Sequence, residues 1–324
     1  MTTNTNTQIF PLPNRTDLRE LDIELPSREA AQPIGAILVE NGALEQQDVQ
    51  RILDYQKKAG LLFGEAGIAM GLLEEEDVKR ALALQFGHAY FAPDTAGFGE
   101  ELIAATHPDS DAVEHLRVLR SQLMLRWFEN DARQAALAVV SPGVGEGRSY
   151  ITANLAVLFS QLGKRTLLID ADLRRPRQHE IFGLAGRVGL STVLSGRAGW
   201  EAVNEVKSLP GLWVLPAGAT PPNPQELLSR PGFARLIQAL RASYEVILID
   251  TPAGAVWADA GTIAARAGAA LMLACRDSTS VPRVAHLADD LRQFGVTIVG
   301  AVLNGASQPK QERVAPNQAA RLRA

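Results

Sequence analysis

Residues 141–149 are Ser-Pro-Gly-Val-Gly-Glu-Gly-Arg-Ser, set between an apolar run and the start of an amphipathic one. Gly143, Gly145 and Gly147 let the backbone amides of this stretch, with those of Val144 and Glu146, close around the oxygens of an anion. The helix that follows turns its positive amino end to the same place. Arg148 keeps a positive charge beside a bound phosphate, and Ser149 is placed to put its hydroxyl on magnesium. Tyr150 follows directly and also packs the helix. The strict pattern G-x-x-x-x-G-K-[ST] is broken twice, by Pro142 in the first glycine's place and Arg148 in the lysine's. Arginine is larger than lysine and forked rather than a compact point charge.

Carboxylates recur at matching places. Thr166-Leu-Leu-Ile-Asp170-Ala-Asp172-Leu-Arg174 puts two of them two residues apart just beyond an apolar run, and Val246-Ile-Leu-Ile-Asp250-Thr-Pro ends a second run in another. One such Asp could hold magnesium, commonly through water, and another could accept a proton from an attacking hydroxyl. A lone Asp after a strand is usually a helix cap. Three at strand ends beside a glycine loop point to a nucleoside triphosphate with magnesium.

These side chains need a scaffold that gathers strand ends. Short apolar runs at 136–140, 166–169, 212–215, 246–249, 270–274 and 296–302 alternate with helical segments. Continuous apolarity marks strands buried on both faces, as in a parallel sheet wrapped by helices. Ligands of such sheets sit at the carboxyl ends of the strands. Ahead of the first run, Glu114, Arg117 and Arg120 fall at i, i+3 and i+6 along one side of a helix, with Leu116, Leu119 and Leu123 as its apolar stripe.

The chain has 324 residues, 46% of them hydrophobic, enough for a large α/β domain and a smaller one. No stretch approaches the roughly 18–20 uninterrupted apolar residues of a membrane span, and the polar start has no signal-peptide core. The single cysteine, Cys275, fits a reducing cytoplasm and a buried structural thiol. His88 and His107 lack neighbours at metal-ligand spacing. The formal net charge of −4 is uneven: residues 1–95 hold 8 Lys and Arg against 15 Asp and Glu. An acidic front section argues against nucleic acid as a partner.

The front section repeats. Gly35/Gly64, Gly42/Gly71, Asp48/Asp77 and Gln56/Gln85 align at a spacing of 29, which predicts two copies of one helix–turn–helix unit. Gly42 and Gly71 sit where a first helix would end. Val49-Ile52-Leu53 and Val78-Ala81-Leu82 mark the buried stripe of each second helix.

This repeat resembles the small N-terminal domain of secretion and pilus-assembly ATPases. Some members bind cyclic di-GMP through an arginine in each copy; Pro33 and Leu62 stand there in this chain, so cyclic di-GMP is not an expected ligand. The rest resembles the bacterial tyrosine kinases (BY-kinases) of polysaccharide export, in particular the exopolysaccharide chain-length-determinant kinases. The likeness rests on Glu114-x-x-Arg117-x-x-Arg120, the loop at 141–149 with Asn154-Leu-Ala, Asp170-x-Asp172-x-Arg174, Pro216-Ala-Gly-Ala-Thr-Pro-Pro-Asn-Pro-Gln-Glu-Leu-Leu-Ser229 and Asp250-Thr-Pro.

The resemblance implies an α/β P-loop NTPase domain that uses ATP and Mg²⁺ to phosphorylate protein tyrosines, with a small helical repeat domain before it. By it, Ser149, Asp172 and Asp250 serve the metal, Arg148 offsets phosphate charge, Asp170 or Asp172 acts as base, and Asn304 contacts adenine. Glu114, Arg117 and Arg120 would touch a neighbour in a ring-like homo-oligomer. A membrane-spanning polysaccharide copolymerase would activate the kinase and hold it at the inner membrane from the cytoplasmic side. The expected organisation is a flexible lead (1–32), the repeat domain (33–90), a linker (91–111), the kinase domain (112–306) and a disordered basic tail (307–324).

The family's C-terminal tyrosine cluster is missing. The chain's tyrosines are Tyr55, Tyr90, Tyr150 and Tyr244, with none from 304 to 324. Two other readings follow: an ATP-binding assembly switch of the same machinery, and a positioning ATPase like those that place plasmids and septa. The loop's lack of any lysine counts against the second.

Overall fold

A computed structural model describes residues 32–85, 97–131, 134–254 and 258–305. The expected lead (apart from Gln32), His88, Tyr90 and the tail at 307–324 lie outside them. The chain divides into two compact units, Met1–Phe86 and Gly87–Ala324.

The first unit carries the repeat as four helices: α1 (Ile34–Glu40), α2 (Gln46–Ala59), α3 (Phe63–Ala69) and α4 (Glu75–Gln85). Gly42 and Gly71 take left-handed φ values of 74° and 67° just past α1 and α3, the conformation a helix-ending glycine supplies. Gly64 lies so close to the Val78 side chain that a Cβ would collide with it. Ile52 and Ala81 are buried at the centre of the unit's core. Leu82, expected in the buried stripe, is 39% exposed. The stripe of the shorter second copy is narrower, and small Ala81 fills its centre.

The second unit opens with α5 (Ile103–Thr106) and α6 (Asp111–Leu123), which runs into a π-helical turn, Met124–Phe128. Then come β1 (Ala136–Val140), α7 (Arg148–Gln161), β2 (Thr166–Asp170), α8 (Gln178–Ile181) and α9 (Leu190–Leu194). After a 3-10 turn at 200–202 follow β3 (Asn204–Glu205), β4 (Leu212–Leu215), α10 (Pro224–Ser229), α11 (Pro231–Leu240), β5 (Val246–Asp250), α12 (Asp259–Ala267), β6 (Ala269–Cys275), α13 (Val281–Gln293) and β7 (Thr297–Asn304).

The strands form one sheet in the order β3-β4-β2-β5-β1-β6-β7. Only the two-residue β3 is antiparallel; the other pairings run parallel. All five residues of β1, β2 and β5 are buried, as continuous apolar runs require. One core cluster joins one face of these strands to α5, α6 and α7. A second joins the other face to α9 through α13. The run at 296–302, read as a buried strand, is partly exposed along its length because β7 is the edge strand.

The described part of the expected linker is core instead. Leu102, Ala104 and Ala105 are fully buried, and Asn154 of α7 holds them from below. Its Oδ1 accepts from the Ala104 amide at 2.8 Å, and its Nδ2 donates to the Glu101 carbonyl at 2.8 Å. Turn formers and weak periodicity hid a segment pinned by side-chain bonds from elsewhere.

The Pro216–Ser229 motif leaves β4 and enters α10, where Pro224 takes a first-turn position whose amide would have no helical partner. Leu227 and Leu228 are buried, while 219 and 220 are exposed.

Candidate functional site

The carboxyl ends of β1, β2 and β5 meet the amino end of α7 around a cavity of about 360 Å³. Its walls include residues 144–150, Asp172, Arg175, Arg177 and Glu101. Of the expected residues, Val144 to Tyr150 and Asp172 line it, while Gly143, Asp170, Asp250 and Asn304 do not. Val144 stands at the lip, 54% exposed. Tyr150 is half-buried against the core, and burial, then nearby Glu101, pushes its hydroxyl pKa up.

The glycine loop is shaped by what packs into it. Gly145 and Gly147 have φ values of 75° and 94°, open to glycine at little cost. A Cβ on Gly147 would collide with Asn304 Nδ2. The Glu146 side chain folds back so that the Gly143 amide donates to its Oε2 at 2.6 Å. Thr279, ahead of α13, donates its hydroxyl to the other Glu146 oxygen. Asn304, expected at adenine, donates from Nδ2 to the Glu146 carbonyl at 3.1 Å and braces the loop.

Arg148 is turned into the protein and is only 8% exposed. Its Nε donates to the Thr251 carbonyl at 2.8 Å, and its Nη1 to the Ser141 hydroxyl and the Gly143 carbonyl. The guanidinium thus staples the loop to the end of β5. Burial lowers its pKa, and the nearby Asp250, Asp172 and Glu146 oppose that shift.

The three carboxylates separate by depth. Asp172 lies at the cavity wall, its Oδ1 accepting from the Arg174 and Arg175 amides at 3.1 and 2.9 Å. Asp170 is fully buried. One of its oxygens accepts from the Asp172 amide, the other from the Arg177 and Gln178 amides. Asp170 therefore shapes the turn that carries Asp172, and of the two only Asp172 lines the cavity. Burial, then Asp250, pushes the Asp170 pKa well up. Asp250 is also fully buried, and burial lifts its pKa to about 6 against hydrogen bonds from Ser149 and Gln178.

The donor set fits a divalent cation. Asp250 Oδ1 is buried with no hydrogen-bond partner, an orphan acceptor beside the Ser149 hydroxyl. Among the described residues no group of three or more His, Cys, Asp or Glu comes together as a cage. Magnesium shared between one or two carboxylates, a hydroxyl and nucleotide phosphates needs none.

Glu114, Arg117 and Arg120 lie away from this cavity, on α6. Arg117 pairs with Glu114 at 3.0 Å. Arg120 is turned inward, its Nη1 donating to the Leu158 carbonyl near the end of α7 at 3.2 Å. Burial, then Arg117, lowers its pKa. Arg120 is thus tied to its own fold, and Glu114 and Arg117 remain at the surface.

Sequence reasoning missed several partners. Gln178 Nε2 donates to Asp250 Oδ2 at 2.7 Å, and Arg174 Nε to buried Asp259 Oδ2 at 2.7 Å, tying the turn after β2 to α12. Glu101, Arg177, Thr251 and Thr279 complete the surroundings. Only the arginine-rich run 174–177 could have flagged any of them.

The CobQ/CobB/MinD/ParA nucleotide binding domain family matches residues 137–321. EpsB of Ralstonia solanacearum is 34% identical over 206 residues, 64% of this chain and 27% of that protein. The tyrosine-protein kinase YwqD of Bacillus subtilis is 34% identical over 209 residues, 64% of this chain and 87% of that protein. The chain thus spans about a quarter of EpsB and most of YwqD. The solved kinase domain of the Escherichia coli tyrosine kinase ETK superposes with a TM-score of 0.60 at 28% identity, covering 65% of this chain and 83% of that one.

Proposed function

We propose, from the premise that this chain belongs to the CobQ/CobB/MinD/ParA nucleotide binding domain family and to its bacterial tyrosine-protein kinases, that it is an ATP-dependent protein-tyrosine kinase serving exopolysaccharide export. The observation that carries the proposal is the gathering of the glycine loop, Ser149 and Asp172 around a nucleotide-sized cavity at one set of strand ends, with buried Asp250 held by the Ser149 hydroxyl.

The loop amides and the amino end of α7 hold the phosphates of ATP. Ser149 and Asp250 would hold Mg²⁺, which would neutralise charge on the phosphates and leave the Asp172 carboxylate free. A tyrosine hydroxyl oxygen of another protein forms a bond to the γ-phosphorus, and the bond from that phosphorus to the β–γ bridging oxygen breaks, leaving ADP. The hydroxyl proton passes to the Asp172 carboxylate at the cavity wall. Asp170 fixes the turn that aims Asp172.

The partner we propose is a membrane-spanning polysaccharide copolymerase whose cytoplasmic tail engages the kinase, which also oligomerises. No helix among the described residues is long and apolar enough to cross a membrane. The first unit would serve as a docking module. A second reading, an ATP-binding assembly switch with little transfer, draws support from Arg148 being spent inside the protein and from the absence of tyrosine in 304–324.

The test incubates the chain with Mg-ATP and the copolymerase tail and probes every component for phosphotyrosine, with Asp172→Asn as control. Phosphotyrosine that depends on Asp172 supports the kinase. Bound ATP without phosphotyrosine supports the switch and removes the kinase reading.

A further inference from the structure

A phosphate loop ordinarily ends in a lysine that offers a mobile point charge to the transferred phosphate. In this chain Arg148 occupies that place and is committed to Thr251, Ser141 and Gly143. Two other cations line the same cavity, Arg175 and Arg177. Both lie in the segment that follows Asp172, and both have their main chain fixed. The Arg175 amide donates to Asp172 Oδ1 at 2.9 Å, and the Arg177 amide to Asp170 Oδ2 at 3.1 Å.

Their side chains are in different states. Arg175 is exposed at the cavity, and no ion pair holds it among the described residues. Arg177 makes a fork-to-fork pair with Glu101, Nη1 to Oε1 at 3.3 Å and Nη2 to Oε2 at 2.9 Å. Glu101 in turn has its carbonyl pinned by Asn154. The main chains of both residues are thus held while both residues line the cavity. Side chains of Arg177 and Glu101 are 48% and 40% exposed, so the pair is weak and screened by solvent. A phosphate offers the same forked geometry with more charge.

We infer that Arg175 and Arg177 supply the phosphate-facing positive charge that Arg148 does not, with Glu101 holding Arg177 until nucleotide arrives. This rests on the nucleotide-binding reading of the same cavity and assigns its phosphate contacts. Arg175 meets the terminal phosphates directly. Arg177 leaves Glu101 for them, and the carboxylate is released into solvent. Glu101 is then a brake on affinity that neutral analogues of ATP do not feel.

The experiment titrates the full chain, with Mg²⁺, against a fluorescent ATP analogue and, separately, against adenosine. Arg175→Gln and Arg177→Gln each weaken ATP binding about tenfold or more, and Arg175→Lys recovers part of the loss. Glu101→Gln tightens ATP binding by about threefold. The Glu101→Gln, Arg177→Gln double variant binds like Arg177→Gln alone, because the brake acts through Arg177. Adenosine binding stays unchanged throughout. Circular dichroism melts confirm that each variant is folded. If the parent chain binds ATP and both arginine variants bind it equally well, the assignment is overturned while the nucleotide reading stands. If the folded parent chain binds no ATP, both fall.

Discussion

Asp170 and Asp250 are direct neighbours across the parallel β2–β5 pair, and Gln178 joins them, its amide donating to Asp170 and its side chain to Asp250. Two fully buried carboxylates so placed resist joint ionisation, and burial raises the pKa of both.

Replacing Asp250 with Asn should therefore stabilise the nucleotide-free chain. Its carboxyl is lifted from an ordinary value to about 6, so the fold favours the protonated form. The stability contributed by that proton is whole below the ordinary carboxylate range and is lost as pH climbs through about 6. At neutral pH the buried charge costs up to about 3 kcal/mol. Thermal melts at neutral pH should show Asp250→Asn with a higher Tm than the parent, together with loss of Mg²⁺-dependent nucleotide binding.

Proton and cation compete for the same oxygens. Mg²⁺-dependent ATP affinity should rise as pH increases through about 6 and level off above it, following the Asp250 carboxyl. Titrations at a series of pH values from about 5 to 8 should show this inflection with Mg²⁺ and lose it when EDTA removes the cation. An inflection that persists there would assign it to another group.

Arg148 separates stability from ligand affinity. Arg148→Met leaves the Thr251 carbonyl without its donor, leaves the Gly143 carbonyl to the Ser141 hydroxyl alone, and strips buried Asp250 of a nearby positive charge, costing about 3–5 kcal/mol. Arg148→Lys keeps the charge but not the fork and costs about 1–3 kcal/mol. Denaturant unfolding reads both. ATP affinity of the lysine variant should stay within about threefold of the parent, since the guanidinium serves the loop rather than the ligand.

Asn154→Ala should loosen residues 101–104. It removes bonds to the Ala104 amide and Glu101 carbonyl and leaves buried groups unpaired, at a cost of about 2–3 kcal/mol. Amide hydrogen exchange should show faster exchange over 101–106 in the variant, with the strands of the central sheet unchanged.

Legibility in the sequence followed locality. The parallel sheet was readable because strands buried on both faces must be continuously apolar, and β1, β2 and β5 are. The loop and its carboxylates were readable because turn chemistry and strand ends leave fixed spacings. What escaped was contact at long range. Nothing near Asn154 shows that it faces Glu101, nothing near Thr279 that it reaches Glu146, and no spacing tells that Arg148 folds inward. The linker reading failed for the same reason: residues 101–106 have little period of their own and are ordered by α7. Depth also escaped, since Asp170 and Asp172 are equivalent as letters and differ only once the turn is closed by Arg177 and Gln178 amides.

The bond from Asn304 to Glu146 joins positions 158 residues apart, the last residue of the edge strand and the middle of the first loop of the sheet. It acts as a keystone: the loop that heads the domain is set by a residue that leaves the ribosome more than a hundred and fifty residues later. A nascent chain that has built β1 to β6 has its glycine loop but not the brace that sets it. The last brace of the loop therefore arrives only once synthesis has passed β7.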